Sequence, residues 1–144
     1  NPVELGMKFR ADIAGTISAI RFYKGSRNIG THTGSLWSST GTRLATVTFT
    51  GETASGWQTA TLSQPVAIQA NTTYVASYHS NGRYSVNNNF FTSEVVNGHL
   101  HGLASGASGG NGVRAYGTAS AFPTSSVNAA NYWVDVVFNP QLAA

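Results

Sequence analysis

Cysteine is absent from the 144 residues, which excludes a disulfide framework and any thiolate metal site. Charge is scarce. The carboxylates are Glu4, Asp12, Glu52, Glu94 and Asp135, and eight lysines and arginines set against them give a net charge of +3. Those eight are scattered and form no basic stripe of the kind a phosphate backbone needs, so nucleic acid is not an expected partner. No apolar run approaches the roughly 20 residues of a membrane-spanning helix, so no membrane span is expected. Five dispersed acids also offer little to calcium, which takes several oxygen ligands, usually including carboxylates. Sustained helical periodicity is missing as well.

Ser, Thr, Asn and Gly dominate what is there. That is the composition of an extracellular β-domain kept soluble by neutral polar groups. The length fits one domain, residues 1–144. Period-two alternation recurs along the chain, which is the strand signal. Val3, Leu5, Met7 and Phe9 face one way, and Glu4, Lys8 and Arg10 the other. Thr16–Lys24 is a second strand. Gly34–Ser38 and Arg43–Thr50 flank a turn at Ser39–Gly41 and predict a hairpin. Trp57–Ser63, Pro65–Ile68 and Thr73–His79 follow. Last comes Tyr132–Phe138, with Tyr132, Val134, Val136 and Phe138 facing in. Turn residues separate these runs at short intervals, so the expected fold is all-β, a two-sheet antiparallel β-sandwich of jelly-roll or immunoglobulin-like topology. Residues 97–131 break the rhythm, with only HLHGL and VRAYG looking strand-like. Long ordered loops in compact domains are often functional.

The stretch TYVASYHSNGRYSV, residues 73–86, crowds aromatics around Asn81-Gly82. That dipeptide predicts a type I′ hairpin pairing Ser80 with Arg83, His79 with Tyr84, and Tyr78 with Ser85. His79 and Tyr84 then become cross-strand neighbours. They read equally as a ligand-facing rim or as a histidine capping the core. Trp133 shares a strand face with Asp135, opposite the apolar face of the last strand. An outward indole beside a carboxylate suits sugar recognition, because the ring stacks on pyranose C–H groups and the carboxylate accepts from hydroxyls. Trp57, at a strand start, reads as core. Trp37 follows Leu36, so one of the two points out.

Catalytic and metal chemistry finds little support. His99 and His101 share a face if extended, but an H-x-H pair is a weak metal signal without a nearby carboxylate. The run SGASGGNG has neither the Lys nor the strand-to-helix context of a phosphate loop. GASGG is not the G-x-S-x-G nucleophile motif. Glycoside hydrolysis takes two carboxylates flanking the bond, and Glu52 with Glu94 is the one pair to consider.

Phe9–Gly25 (F-x-x-D-x-x-G-x-I-x-x-I-R-F-Y-K-G) opens a series of motifs that continues through GTHTGSLW (Gly30–Trp37), ETASGWQ (Glu52–Gln58) and P-V-A-I-x-A-N-T-T-Y-V-A-S-Y-H (Pro65–His79). It closes with NGV (Asn111–Val113), FPT (Phe122–Thr124) and NYWVDVVF (Asn131–Phe138). In joint order these resemble an extracellular bacterial β-sandwich family, the domain-of-unknown-function family number 4082, over nearly the whole chain. The resemblance implies an accessory module of a secreted, multidomain and often carbohydrate-active or surface protein. It supplies no established binding residues. His32, His79, His101, Trp57, Trp133 and Asp135 fall inside the matching segments, whereas His99 stands where the pattern expects another residue.

The expectation is therefore a secreted, non-catalytic carbohydrate-binding module, tethered to other domains, that holds a polysaccharide or oligosaccharide. Its expected ligand-binding residues are Trp133, Tyr84 and His79, then His32, Trp57 and Asp135. No cofactor and no metal are expected. The alternative is a spacer or adhesion domain with no glycan ligand.

Overall fold

The computed structural model describes residues 1–141. Eleven strands occur among them: β1 (Val3–Ala11), β2 (Gly15–Lys24), β3 (Thr33–Ser38), β4 (Arg43–Thr48), β5 (Gly56–Ile68), β6 (Tyr74–Ser80), β7 (Val95–Asn97), β8 (Leu100–Gly102), β9 (Val113–Tyr116), β10 (Ser125–Ser126) and β11 (Val134–Pro140). A 3-10 turn at Phe90–Thr92 and one helical turn at Ser105–Ser108 complete the regular structure. The fold is all-β, a two-sheet antiparallel sandwich. The large sheet runs β10-β9-β1-β6-β3-β4, with β8 beside β1 and β7 beside β8. The small sheet is β11-β2-β5.

Alternation dictates the core. Val3, Leu5 and Phe9 of β1, Ile17, Ile20 and Phe22 of β2, and Tyr74, Ala76 and Tyr78 of β6 are buried between the sheets. Phe22 sits at the centre. It stacks on Tyr78 at 4.3 Å and meets Phe49 edge-on at 4.8 Å. Such pairs add about 0.5–1.5 kcal/mol each beyond the area they bury. The β3–β4 hairpin forms around the expected turn, closed by Ser38 N–H donating to Thr42 O at 2.9 Å. The expected strands at Trp57–Ser63 and Pro65–Ile68 are one strand, β5. It lies at the edge of its sheet, where a residue without an N–H is tolerated.

Three expectations need correction. The type I′ hairpin at Asn81-Gly82 does not form. β6 already has β1 on one side and β3 on the other, so no pairing slot is left for residues 83–86. Gly82 has φ 124° while Asn81 is not left-handed, and Asn81 Nδ2 donates instead to Ile29 O at 3.2 Å. The final strand starts at Val134, later than expected, because Trp133 is left-handed at φ 59° and turns the chain before pairing begins. Leu36 and Trp37 are both buried, on opposite faces of β3. Leu36 enters the inter-sheet core, and Trp37 joins Val75, Val113 and Phe122 on the outer face.

Candidate functional site

β11 is a free edge of the small sheet, and beside it the sandwich stays open. A cavity of about 250 Å³ lies there. Its floor is Met7 and Phe9 of β1. One wall is Phe90, Phe91, Val95, Leu100 and His101, from the 3-10 turn and the β7–β8 arm, and the other is Trp57, Trp133 and Asp135.

Each wall residue is fixed by local chemistry. The turn that presents Trp133 is held by Asn131 Oδ1, which accepts the Trp133 N–H at 2.7 Å, and by Tyr23 N–H donating to Trp133 O at 2.8 Å. The indole N–H donates to Asn87 Oδ1 at 2.7 Å, and Phe90 packs on the ring at 5.3 Å. Asn87 itself bridges Asn131, so the loop after β6 braces the ring from behind. Trp57 is 41% exposed, which corrects its reading as core. Its ring carries the Arg21 guanidinium 4.5 Å from the centroid and meets Tyr23 edge-on. β2 pairs Arg21 with Asp135 and Tyr23 with Trp57, so these four side chains share the outer face of the small sheet. Burial pushes the Asp135 carboxyl above the usual range, against the pull of the Val136 N–H and Arg21.

A family model described as Domain of unknown function (DUF4082) matches residues 1–134. The chain belongs to this DUF4082 family. No curated protein and no solved structure matches it.

The DUF4082 fold does not gather all six expected site residues. Trp133, Trp57 and Asp135 line the groove. Tyr84 packs edge-on against Tyr132 at 5.5 Å. His79 lies on the other face of the large sheet, where its Nε2 hydrogen-bonds Gly117 O at 2.9 Å. His32 is fully buried. Its Nδ1 meets the Glu52 carboxylate at 2.9 Å and its Nε2 meets Asn28 Oδ1 at 2.7 Å, while Lys24 Nζ lies 3.1 Å from Glu52. That side chain is structural and reaches no surface ligand. The cross-strand neighbourhood of His79 and Tyr84 disappears with the hairpin.

The fold also brings together groups that lie far apart in sequence. Asp12 Oδ1 lies 2.6 Å from His99 Nδ1 and Oδ2 lies 3.4 Å from His101 Nε2, while Glu94 meets both His101 and Arg10. The His99 hydrogen bond, above all, holds the Asp12 carboxyl below its usual range. This cluster clasps the β7–β8 arm to β1 and so fixes one wall of the groove. Among the described residues no three His, Asp or Glu side chains converge as a metal site. Glu52 and Glu94 belong to separate networks, one with His32 and Lys24, the other with His101 and Arg10. The described residues contain no helix long and apolar enough to cross a membrane.

Phe90 and Phe91 went unread as wall residues, as did Arg21 and Tyr23 beside Trp57, and His101 was weighed only as half of an H-x-H metal pair. The adjacent phenylalanines inside NNNFFTS were the available signal, since apolar rings in a polar loop need a partner.

Proposed function

We propose that this domain is a non-catalytic carbohydrate-binding module whose site is the groove beside β11. What supports the reading is the convergence of Trp57, Trp133 and Phe90 with Asp135 around one open cavity, with the Arg21 guanidinium over the Trp57 ring beside it. Partly exposed rings offer stacking surfaces for pyranose C–H groups. The carboxylate accepts from ring hydroxyls and the guanidinium donates to ring oxygens. The bracing of Trp133 by Asn87 and Asn131 limits the entropy lost on binding. Affinity per site is weak on this reading and is strengthened by tethering to neighbouring domains of a secreted protein.

The test is retention of the purified domain on insoluble chitin, cellulose, α-glucan, xylan and cell-wall material. Selective retention, competed away by soluble oligomers of the same sugar, is the expected result. Trp133→Ala should reduce it at least about tenfold, the loss of a stacking anchor, with the circular dichroism spectrum unchanged. Retention on no polysaccharide, or retention unaffected by Trp133→Ala and Trp57→Ala, overturns the reading. One observation favours the alternative of a spacer or adhesion domain: His32, His79 and Tyr84 are all engaged within the protein itself.

A further inference from the structure

The outer face of the large sheet, away from the groove, carries a buried polar cluster. Glu4 is fully buried there, although the alternation of β1 turns it away from the core. Trp37 Nε1 donates to Ser77 Oγ at 2.8 Å, and Ser77 Oγ donates to Glu4 Oε2 at 2.5 Å. Glu4 Oε1 has no hydrogen-bond partner. What covers these groups is residues 117–124, the connection between β9 and β10, folded back over the sheet. Pro123 presses on Gly6, where a Cβ would lie 2.9 Å from Pro123 Cγ, and Phe122 packs on the Trp37 ring at 5.5 Å. Arg43 Nη2 donates to Ser120 Oγ at 2.9 Å.

This cover is held at its ends. β9 pairs with β10, and Gly117 is fixed by its N–H donating to Pro2 O at 3.0 Å and by His79 Nε2 lying 2.9 Å from its carbonyl oxygen. Thr118, Ala119 and Ala121 are exposed. Lifting the tip breaks the Arg43–Ser120 and Phe122–Trp37 contacts, takes the Ser120 hydroxyl away from Glu4 and Phe122 away from Gly41, and breaks no sheet hydrogen bond. The tip also occupies the cluster as a ligand would. Ser120 gives Arg43 a hydroxyl, and Phe122 covers the ring.

We propose that Thr118–Phe122 is a movable strap over a second binding site, in which Glu4 accepts from the hydroxyls of a saccharide and the Trp37 ring is its platform. The closed strap buries a carboxylate with one bare oxygen, and unpaired buried charge is costly. Burial holds the Glu4 carboxyl above its usual range, while the hydroxyls of Ser77 and Ser120 and the charges of His79 on β6 and Arg43 on β4 pull it back. The strap itself, Gly117–Thr124, carries no charged residue. Ionised Glu4 regains water when the strap lifts, so opening becomes easier as the pH rises through the titration of the buried carboxyl and harder below it.

Hydrogen exchange across a pH series tests the strap, with rates corrected for intrinsic exchange. The amides of residues 118–122 should exchange at least about tenfold faster than those of β1 and β6, and should slow on acidification. Glu4→Gln should slow strap exchange at neutral pH and remove its pH dependence, and Phe122→Ala should speed it. The ligand is tested with soluble cello-, xylo-, chito- and malto-oligosaccharides added to the Trp133→Ala protein, which separates this site from the groove. Shift of the Trp37 indole N–H resonance, enhanced several-fold in affinity by Phe122→Ala, is the expected result. A strap protected as well as β1, a pH dependence that survives Glu4→Gln, or a Trp37 resonance unmoved by every oligosaccharide with Phe122→Ala in place overturns the proposal. None of these outcomes depends on whether the groove binds polysaccharide.

Discussion

At the residue scale, one backbone conformation decides what Trp133 can do. A tryptophan in the left-handed region is sterically disfavoured and persists only where its surroundings hold it. Asn131 below and Asn87 beside it supply that hold. Asn87→Ala should therefore loosen the ring and weaken glycan retention without touching ligand, read as faster Trp133 indole exchange alongside reduced retention. His32 shows the opposite use of an aromatic polar side chain. Removing one partner from a buried charged network leaves the others unpaired, at a cost of about 3–5 kcal/mol. His32→Ala should fall near the lower part of that range, measured by denaturant unfolding, and should leave retention of the folded fraction unchanged.

At the element scale, the close approach of the two sheets depends on side chains that are missing. A Cβ on Gly34 of β3 would lie 2.9 Å from Ile20 Cγ2 and 3.1 Å from Phe49 Cε1. Gly34→Ala should cost about 1–3 kcal/mol through overpacking, seen as a lower midpoint at unchanged denaturant slope. Gly112 is less forgiving. Its φ is 72°, and a Cβ there would meet the Ala130 carbonyl oxygen at 1.8 Å. Backbone cannot rotate away as a side chain can, so Gly112→Ala should give no folded protein at 37 °C, read as loss of soluble expression. β6 makes the same point about elements. Its fate followed from which strands occupied its two sides, and the turn-forming Asn81-Gly82 beyond it had no free edge to return to.

At the scale of the whole molecule, two carboxyls drawn from water, the buried Glu4 and the half-buried Asp135, set the acid response. Burial raises both Glu4 and Asp135. The native state therefore keeps their protons to higher pH than the unfolded chain does. Each contributes stability that is fully present below its ordinary pKa and lost as the pH rises through the raised value. Asp12 has the opposite sign, but it is exposed and screened by solvent. The melting temperature should rise between neutral and mildly acid pH, and the combined Glu4→Gln and Asp135→Asn variant should flatten that slope while raising stability at neutral pH.

Alternating apolar residues were enough to place β1, β2, β3, β4 and β6, and in β1 they also fixed which side enters the core, because a strand's faces follow from its own period of two; for β3 and β6 the core side stayed open until the packing was known. The absence of helical periodicity settled the class for the same reason. HLHGL and VRAYG were readable as β8 and β9 within a polar region. The site was legible in part: Trp133 and Asp135 stood out as an aromatic and an acid beside an apolar strand face. Tertiary structure decided the rest. Burial of His32, exposure of Trp57, the meeting of Asp12 with His99 and His101, and the strap over Glu4 all depend on which elements lie side by side. Sequence spacing fixes direction within a strand, but the neighbours across a sheet or over its face are set by how the strands pack together.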